Sequence, residues 1–338
     1  MPAAPLILAA AANSNLGPET PCADPMFTPE PVEGTMSDLA ADVNVLIQRE
    51  EGRAALLASL GPALDNGDIY LVYQPKLHLR SGAVESVEAL LRWDHPEFGS
   101  ISPPVLIELV ERAKQVEDLT LWVLRRAMAE QKALAKAGRI LLMYVNVSGS
   151  LLSNNGFVDR LWELGTAGGI GIEVTETAII EQHEIAASNL KRLRDLGFAL
   201  SIDDYGSGLS SLVYLKDLPA SELKIDKQFI SGMAASHRDP LIVRSTIDLA
   251  HALGMTVVAE GVESLATLAL LRVMGCDYGQ GFLISRPVRA AGLIDFLALD
   301  EHRRLLDTAA YSLPPPQSFW TRTQRELPSD GRRLDKAS

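Results

Sequence analysis

The chain is poor in cysteine. It has two in 338 residues, Cys22 and Cys276, with no CxxC pair and no metal-ligand spacing. That excludes a disulfide framework and a zinc ribbon, leaves Cys276 as a small core residue in an apolar setting, and points to a reducing, cytoplasmic compartment. Long apolar runs are also missing. No segment approaches the ~20 apolar residues that span a membrane. The N-terminal MPAAPLILAAAANSNLG has a short apolar run, Leu6–Ala12, with no Lys or Arg before it, so it does not read as a secretory signal. Positive charge is the third shortage: 31 Lys and Arg stand against 43 Asp and Glu, giving a net charge of −12 and a pI near 5.0. No Lys/Arg cluster offers the basic face that a DNA or RNA polymer needs. The six histidines (His78, His95, His183, His237, His251 and His302) nowhere pair at metal spacing. Trp93, Trp122 and Trp162 read as packing residues, not as platforms for stacked bases. A small phosphorylated ligand, met through metal ions, remains compatible with an acidic protein.

What is present is a cored globular chain, 47% hydrophobic, long enough for one large α/β barrel or two ordinary domains. Residues 1–35 are Pro/Ala-rich without periodicity and are expected to be a disordered leader. Residues 36–66 have apolar positions at helical spacing and read as a lead-in helical segment. From residue 67 to 297 strands alternate with helices. The strands are IYLVYQPKL, AVESVEALLRW, LLMYVNV, GIEVTE, FALSIDD, SELKID, TVVAEGVE and CDYGQGFLI. The helices include PPVLIELVERA, LTLWVLRRAMAEQKALAKAG, FVDRLWELG, AIIEQHEIAASNLKRLRDLG, LIVRSTIDLAHALG and SLATLALLRVMG. Such alternation argues for parallel βαβ units, and about eight of them in roughly 230 residues argue for a TIM-like (β/α)8 barrel over an open sheet. Residues 298–338 turn charged and Pro-rich and are expected to be the end of a helix followed by a flexible tail.

Barrel enzymes carry their chemistry at the C-terminal ends of the strands. Those ends supply Glu88 and Arg92, Asn146, Glu173 and Glu176, Asp203 and Asp204, Lys224 and Asp226, Glu260 and Glu263, and Gln280. The residues before each are apolar, which does not suit a solvated face. Gathered carboxylates raise one another's pKa unless cations neutralise them. Oxygen ligands without a His or Cys set favour hard cations, Mg²⁺ or Mn²⁺, with Ca²⁺ also compatible. The adjacent Asp203 and Asp204 suit two metals, the arrangement that clamps phosphorus for in-line attack. The following GSGLSS (206–211) lacks the Lys of a P-loop. It reads as an ordinary strand-to-helix turn with Ser210 or Ser211 as N-cap, or as a lid beside the metals; composition favours the turn.

The stretches YQPKL (73–77), EALLRWDHPEFGSISP (88–103), YVNVS (144–148), IEVTE (172–176), SIDDYGSGLSSLVYLKDLPASELKIDKQFI (201–230), VAEGVES (258–264) and CDYGQGFLISRP (276–287) resemble, in order and at ordinary spacing, the EAL family of cyclic di-GMP phosphodiesterases. The resemblance covers about residues 60–297. It implies a barrel whose first strand runs antiparallel to the other seven, and hydrolysis of cyclic di-GMP to linear 5′-pGpG by metal-activated water. It implies two Mg²⁺ or Mn²⁺ per site, with Ca²⁺ inhibitory. Glu88, Asn146, Glu173 and Asp203 would hold the first metal, and Asp203, Asp204 and Glu260 the second. Lys224 would orient the water, Gln280 would hold the water or metal shell, and Glu176 would anchor loop 206–211. Gln74, Leu90, Arg92, Asp226 and Arg286 would lie at the dinucleotide. A homodimer through the barrel near loop 206–211 is implied as well. The chain departs from the family at Leu209, where Tyr is usual, at Ser86 and Phe282, where Gly and Tyr are frequent, and in the LIELVERAKQV of the helix after Pro103. Residues 38–53 faintly resemble the last helix of a GGDEF domain, though an amphipathic lead-in helix accounts for them.

Two other readings compete. A non-catalytic EAL receptor would bind cyclic di-GMP without cleaving it, but such members usually lose metal ligands or the lysine, and all are kept here. An unrelated Mg²⁺-dependent lyase on a barrel would need a second lysine or a His–Asp pair at a strand end, and none is seen.

Overall fold

The computed structural model describes residues 50–165, 168–181, 183–206, 215–233 and 238–310. The expected leader, residues 36–49, Leu209 with most of its loop, and the tail after residue 310 lie outside these.

Nine strands build one sheet: β1 Ile69–His78, β2 Val84–His95, β3 Gly99–Ile101, β4 Leu142–Asn146, β5 Ile170–Thr175, β6 Ala199–Tyr205, β7 Glu222–Ile225, β8 Thr256–Ala259 and β9 Tyr278–Gly279. Strand β1 pairs with β2 on one side and β9 on the other, so the sheet closes into an eight-stranded barrel, with β3 a hairpin extension of β2. Strand β1 is antiparallel to both neighbours, and the remaining barrel pairs are parallel. The barrel and its antiparallel first strand are thus as expected.

Both faces of such strands are covered, yet the strands alternate instead of reading as continuous apolar runs. The reason lies in the lumen. Val87 and Ala89, Met143 and Val145, Ile172 and Val174, Leu200 and Ile202, Leu223 and Ile225 all belong to the main hydrophobic core shared with the surrounding helices. Their period-two partners are Ser86 and Glu88, Tyr144, Glu173, Ser201 and Asp203, Glu222 and Lys224, all buried. Apolar residues face the helices and polar ones fill the barrel.

The helices are α1 Glu50–Asn66, α2 Pro103–Arg112, α3 Val116–Lys136, α4 Gly149–Leu152, α5 Asn155–Glu163, α6 Glu176–Glu181, α7 His183–Asp195, α8 Lys227–Ser231, α9 Asp239–Ala252, α10 Leu265–Val273, α11 Ala290–Leu299 and α12 His302–Ala310. Helix α1, part of the lead-in segment, packs with Trp93, Ile101 and α2 in a second hydrophobic cluster. The chain does not stop being ordered at Leu299. Helix α12 buries Leu306 and Ala309, and Arg272 donates to the carbonyls of Leu79 and Leu306. The expected strand CDYGQGFLI is reduced to Tyr278–Gly279. A Cβ on Gly281 would lie 2.3 Å from the Val262 backbone N and O, so the chain meets another backbone there and turns, with Leu283 N–H donating to Val262 O. Among the described residues no helix is long and apolar enough to cross a membrane.

Candidate active site

The C-terminal mouth of the parallel strands gathers the expected residues around one buried lysine. Lys224, on β7, is 1% exposed, and its ammonium lies 2.6 Å from Glu260 Oε1, 2.7 Å from Glu173 Oε2, 3.0 Å from Asp203 Oδ1 and 3.5 Å from Glu88 Oε2. Glu88 takes two further donors, Asn146 Nδ2 at 2.7 Å and Gln280 Nε2 at 2.6 Å. Gln280 also donates to Gln74 Oε1 at 3.1 Å, and Gln74 Nε2 reaches the Ser285 carbonyl at 3.1 Å. The side chains of eight different strands or strand ends thus form one network.

The two adjacent aspartates have a local explanation. In a regular strand, neighbours point to opposite faces. The β6–β7 register shifts between Ile202 and Tyr205, and Asp204 adopts φ 55°. Asp is among the few residues that enter this left-handed region, at about 1–3 kcal/mol of backbone strain. The Asp204 N–H donates to Asp203 Oδ1 at 3.0 Å. The irregularity gathers Asp203, Asp204 and Glu260, whose ligand oxygens all lie within 4.8 Å of one another.

The electrostatics show a shortage of positive charge. Burial pushes Glu260 up to about 7, a push that Lys224 only partly offsets. Glu173 rises to about 8 through burial, against the pull of Lys224 and Lys76 and with the repulsion of Glu88 and Asp203 added. Burial, then Asp203 and Asp226, raise Asp204. Glu88 is the exception: burial is overcome by Lys224 and by the amides of Gln280 and Asn146, and it falls to about 2. Burial would lower Lys224, but its four carboxylates hold it well above the usual lysine range. An all-oxygen donor set that is short of cations fits hard divalent metals. The buried Gln280 Oε1, which has no hydrogen-bond partner among the described residues, fits a missing donor or cation too.

The remaining candidates lie around this centre. Glu176, the first residue of α6, is buried, and its Oε2 accepts the Gly206 N–H at 3.2 Å, at the start of loop 206–211. Leu90 and Arg92 line a cavity of about 510 Å³ that also touches Asn146 and Pro103. Arg286 is exposed with its guanidinium over the Phe282 ring. Asp226 caps α8, accepting the Gln228 N–H at 2.7 Å. Glu263 is exposed and joins none of these contacts. A larger cavity, about 600 Å³, opens at the opposite end of the barrel beside His78 and Cys276, away from the network.

Sequence reasoning missed the layer below. Lys76, on β1, is fully buried and lies 2.7 Å from Glu173 Oε1 and 2.5 Å from Glu222 Oε1. Its ammonium stands 3.6 Å from the centre of the Tyr144 ring, and Ser201 donates to Glu222 at 2.8 Å. The signal was present in YQPKL and SELKID, where a charged residue sits one period below a site residue on the same strand face.

The sequence pattern of the EAL domain matches residues 57–287. Among curated proteins the chain is 36% identical over 258 residues to the cyclic di-GMP phosphodiesterase PA2567 of Pseudomonas aeruginosa, covering 75% of this chain and 44% of that protein. It is 40% identical over 258 residues to the cyclic di-GMP phosphodiesterase NbdA of the same organism, covering 75% of this chain and 33% of that one. The chain therefore spans less than half the length of these two relatives. Among solved structures, the PaMucR phosphodiesterase in complex with c-di-GMP superposes with a TM-score of 0.66 at 37% identity, covering 71% of this chain and 99% of that one. The EAL domain of Mycobacterium smegmatis DcpA gives 0.57 at 33% identity, covering 69% and 98%.

Proposed function

The chain belongs to the EAL domain family, and from that premise we propose that it is a metal-dependent phosphodiesterase that opens cyclic di-GMP to linear 5′-pGpG. The observation that carries the reading is the charge count at the mouth. Six carboxylates, Glu88, Glu173, Asp203, Asp204, Glu222 and Glu260, are met by two lysines, Lys224 and Lys76. Two divalent cations would balance what remains.

Glu88, Asn146, Glu173 and Asp203 would hold one Mg²⁺ or Mn²⁺, and Asp203, Asp204 and Glu260 a second. The chemistry that such ions supply when bound is a water acidic enough to ionise near neutral pH and charge compensation at phosphorus. The protein does the rest. Lys224, fixed by its carboxylates and shielded from solvent, points a permanent positive charge at the place where negative charge grows in the transition state. Gln280, anchored through Gln74 to the Ser285 carbonyl, orients the same region. Leu90 and Arg92 offer an apolar wall and a guanidinium in the cavity beside Asn146, suited to a base and its phosphate. Arg286 lies on the open side; Asp226 acts first as a helix cap. Water adds to phosphorus, the P–O3′ bond breaks, and the 3′ oxygen takes up the proton.

Incubation with cyclic di-GMP and Mg²⁺ or Mn²⁺, with and without EDTA, followed by chromatography, tests this. Metal-dependent 5′-pGpG supports it, and binding without any product would replace it with a receptor function. Ca²⁺ in place of Mn²⁺ is expected to stop turnover in the same assay. A homodimer near residues 206–211 belongs to this reading, and sedimentation of the protein at micromolar concentration checks it.

A further inference from the structure

We propose that Lys76 is a positioning residue for the reaction: it occupies one oxygen of Glu173 so that this carboxylate presents only the other to the metal site. The inference rests on the phosphodiesterase reading and adds a part outside the strand-end residues.

Three observations carry it. First, Lys76 and Lys224 divide Glu173 between them. Lys76 Nζ is 2.7 Å from Oε1 and Lys224 Nζ is 2.7 Å from Oε2. Oε2 therefore faces the carboxylate cluster of Asp203 and Glu260 through the lysine they share, while Oε1 faces down the barrel. A carboxylate with one oxygen committed to a buried ammonium is a single-oxygen ligand in one rotamer. Second, Lys76 itself cannot wander. It is 0% exposed, its far side is held by Glu222 at 2.5 Å, and the Tyr144 ring lies 3.6 Å below the ammonium. Glu222 is in turn held by Ser201 at 2.8 Å. Third, the floor is built close. Gly171, on the strand beside Tyr144, leaves no room for a side chain, since a Cβ there would lie 2.4 Å from that ring. The ring, the lysine and the carboxylate form a stack whose height is fixed by the backbone. Groups that orient a ligand of a metal from behind commonly change metal affinity or activity by about 10–100-fold when removed.

A buried ion pair also bears on folding, so the test must separate position from stability. Lys76→Met leaves Glu222 as a buried, unpaired carboxylate and is expected to melt lower. Lys76→Met combined with Glu222→Gln removes both charges of the lower layer and is expected to melt near wild type. If Lys76 serves the fold alone, the double variant recovers everything. If it positions Glu173, the double variant stays defective. Its kcat for cyclic di-GMP with Mn²⁺ is then about 10–100-fold below wild type, with KM within about threefold because Lys76 does not reach the dinucleotide cavity. Its Mn²⁺ affinity, followed without substrate by the electron paramagnetic resonance of free Mn²⁺, falls about tenfold. A folded double variant with wild-type kcat and Mn²⁺ affinity overturns the proposal, and so does a double variant that fails to fold, since the lysine would then be needed for the barrel itself. Wild-type protein that binds Mn²⁺ but forms no product overturns the phosphodiesterase reading instead, and the Mn²⁺ titrations still decide the role of Lys76.

Discussion

Replacing Lys224 with Met should destabilise the metal-free protein, enlarge its response to metal, and stop turnover, all at once. Lys224 touches Glu260 at 2.6 Å, Glu173 at 2.7 Å, Asp203 at 3.0 Å and Glu88 at 3.5 Å. Removing one partner of a buried ion pair costs about 3–5 kcal/mol, because the other charge is left without compensation. Not all four carboxylates are left so. Glu173 keeps Lys76, and Glu88 keeps Asn146 and Gln280. Asp203 and Glu260 bear the loss. Glu260, already pushed up to about 7 by burial against the pull of Lys224, can take a proton and limit it. The lower end, about 3 kcal/mol, is therefore expected. At about 2–4 °C per kcal/mol for a domain of this size, that is a fall in Tm of about 6–12 °C in EDTA.

Metal reverses the order. The ammonium and a divalent cation would draw on the same two carboxylates, Asp203 and Glu260, so the variant should gain more from Mn²⁺ than wild type does. At a hundredfold excess over Kd a ligand adds about 2.7 kcal/mol, enough to recover most of the loss. Turnover should nevertheless fall about 10²–10³-fold, the usual effect of removing a preorganised charge from a transition state. Thermal melts of both proteins in EDTA and across a Mn²⁺ series, with single-turnover chromatography, measure all three. A variant that melts like wild type in EDTA and gains no more from Mn²⁺ would refute the claim that Lys224 and the metals share one set of ligands.

Three further outcomes follow from the geometry. Gly171→Ala should lower stability by about 1–3 kcal/mol, as overpacking does, because its Cβ would meet the Tyr144 ring at 2.4 Å; chemical denaturation measures it. Glu176→Ala removes the acceptor of the Gly206 N–H and should lower kcat about tenfold, a net hydrogen bond of about 1.4 kcal/mol, whereas Glu176→Gln keeps an oxygen there and should lose less; equal losses would count against anchoring. Cys276, buried with its thiol pushed up to about 12 by burial and by Asp277, should resist a thiol reagent at pH 8 in a Cys22→Ser background and react fully in denaturant; fast native labelling would refute its core placement.

The fold was legible because this barrel's strands alternate. In most parallel barrels both strand faces are apolar, and the inward residues vanish into a continuous hydrophobic run. Here Ser201 and Asp203 interleave with Leu200 and Ile202, and Glu222 and Lys224 with Leu223 and Ile225, so each strand could be recognised by its alternation and by the polar residue at its end. Direction was not read from the pattern, although the Leu79–Ala83 connection is too short for a crossover and leaves β1 and β2 only an antiparallel pairing: His78 N–H donates to Ala83 O, and the His78 ring accepts the N–H groups of Arg80 and Ser81. Only the family resemblance supplied that direction. The short β9 was misjudged because Gly281 packs against the Val262 backbone, a contact between segments that no local pattern encodes.

The site was legible to the depth of one layer, and the reason is the register. Strand ends announce themselves as a set: a single acid after an apolar run reads as a rim residue making hydrogen bonds, but an acid or amide at almost every strand end does not. One period deeper, Lys76 and Glu222 look like ordinary solvated charges in YQPKL and SELKID, because their partner is on the far side of the lumen: Lys76 and Glu222 are 146 positions apart in sequence and 2.5 Å apart in space. Neither residue alone can be placed inside, for an unpaired buried charge costs several kcal/mol. Together they can, and each is the condition for burying the other. The same reciprocity acts one layer up, where Lys224 makes four carboxylates tolerable without metal. Glu173 belongs to both layers, with one oxygen on each lysine. A change at the floor therefore reaches the mouth by contact through Glu173, the side chain that hydrogen-bonds both lysines among the described residues, and through space by the field of Lys76 at Glu88 and Lys224.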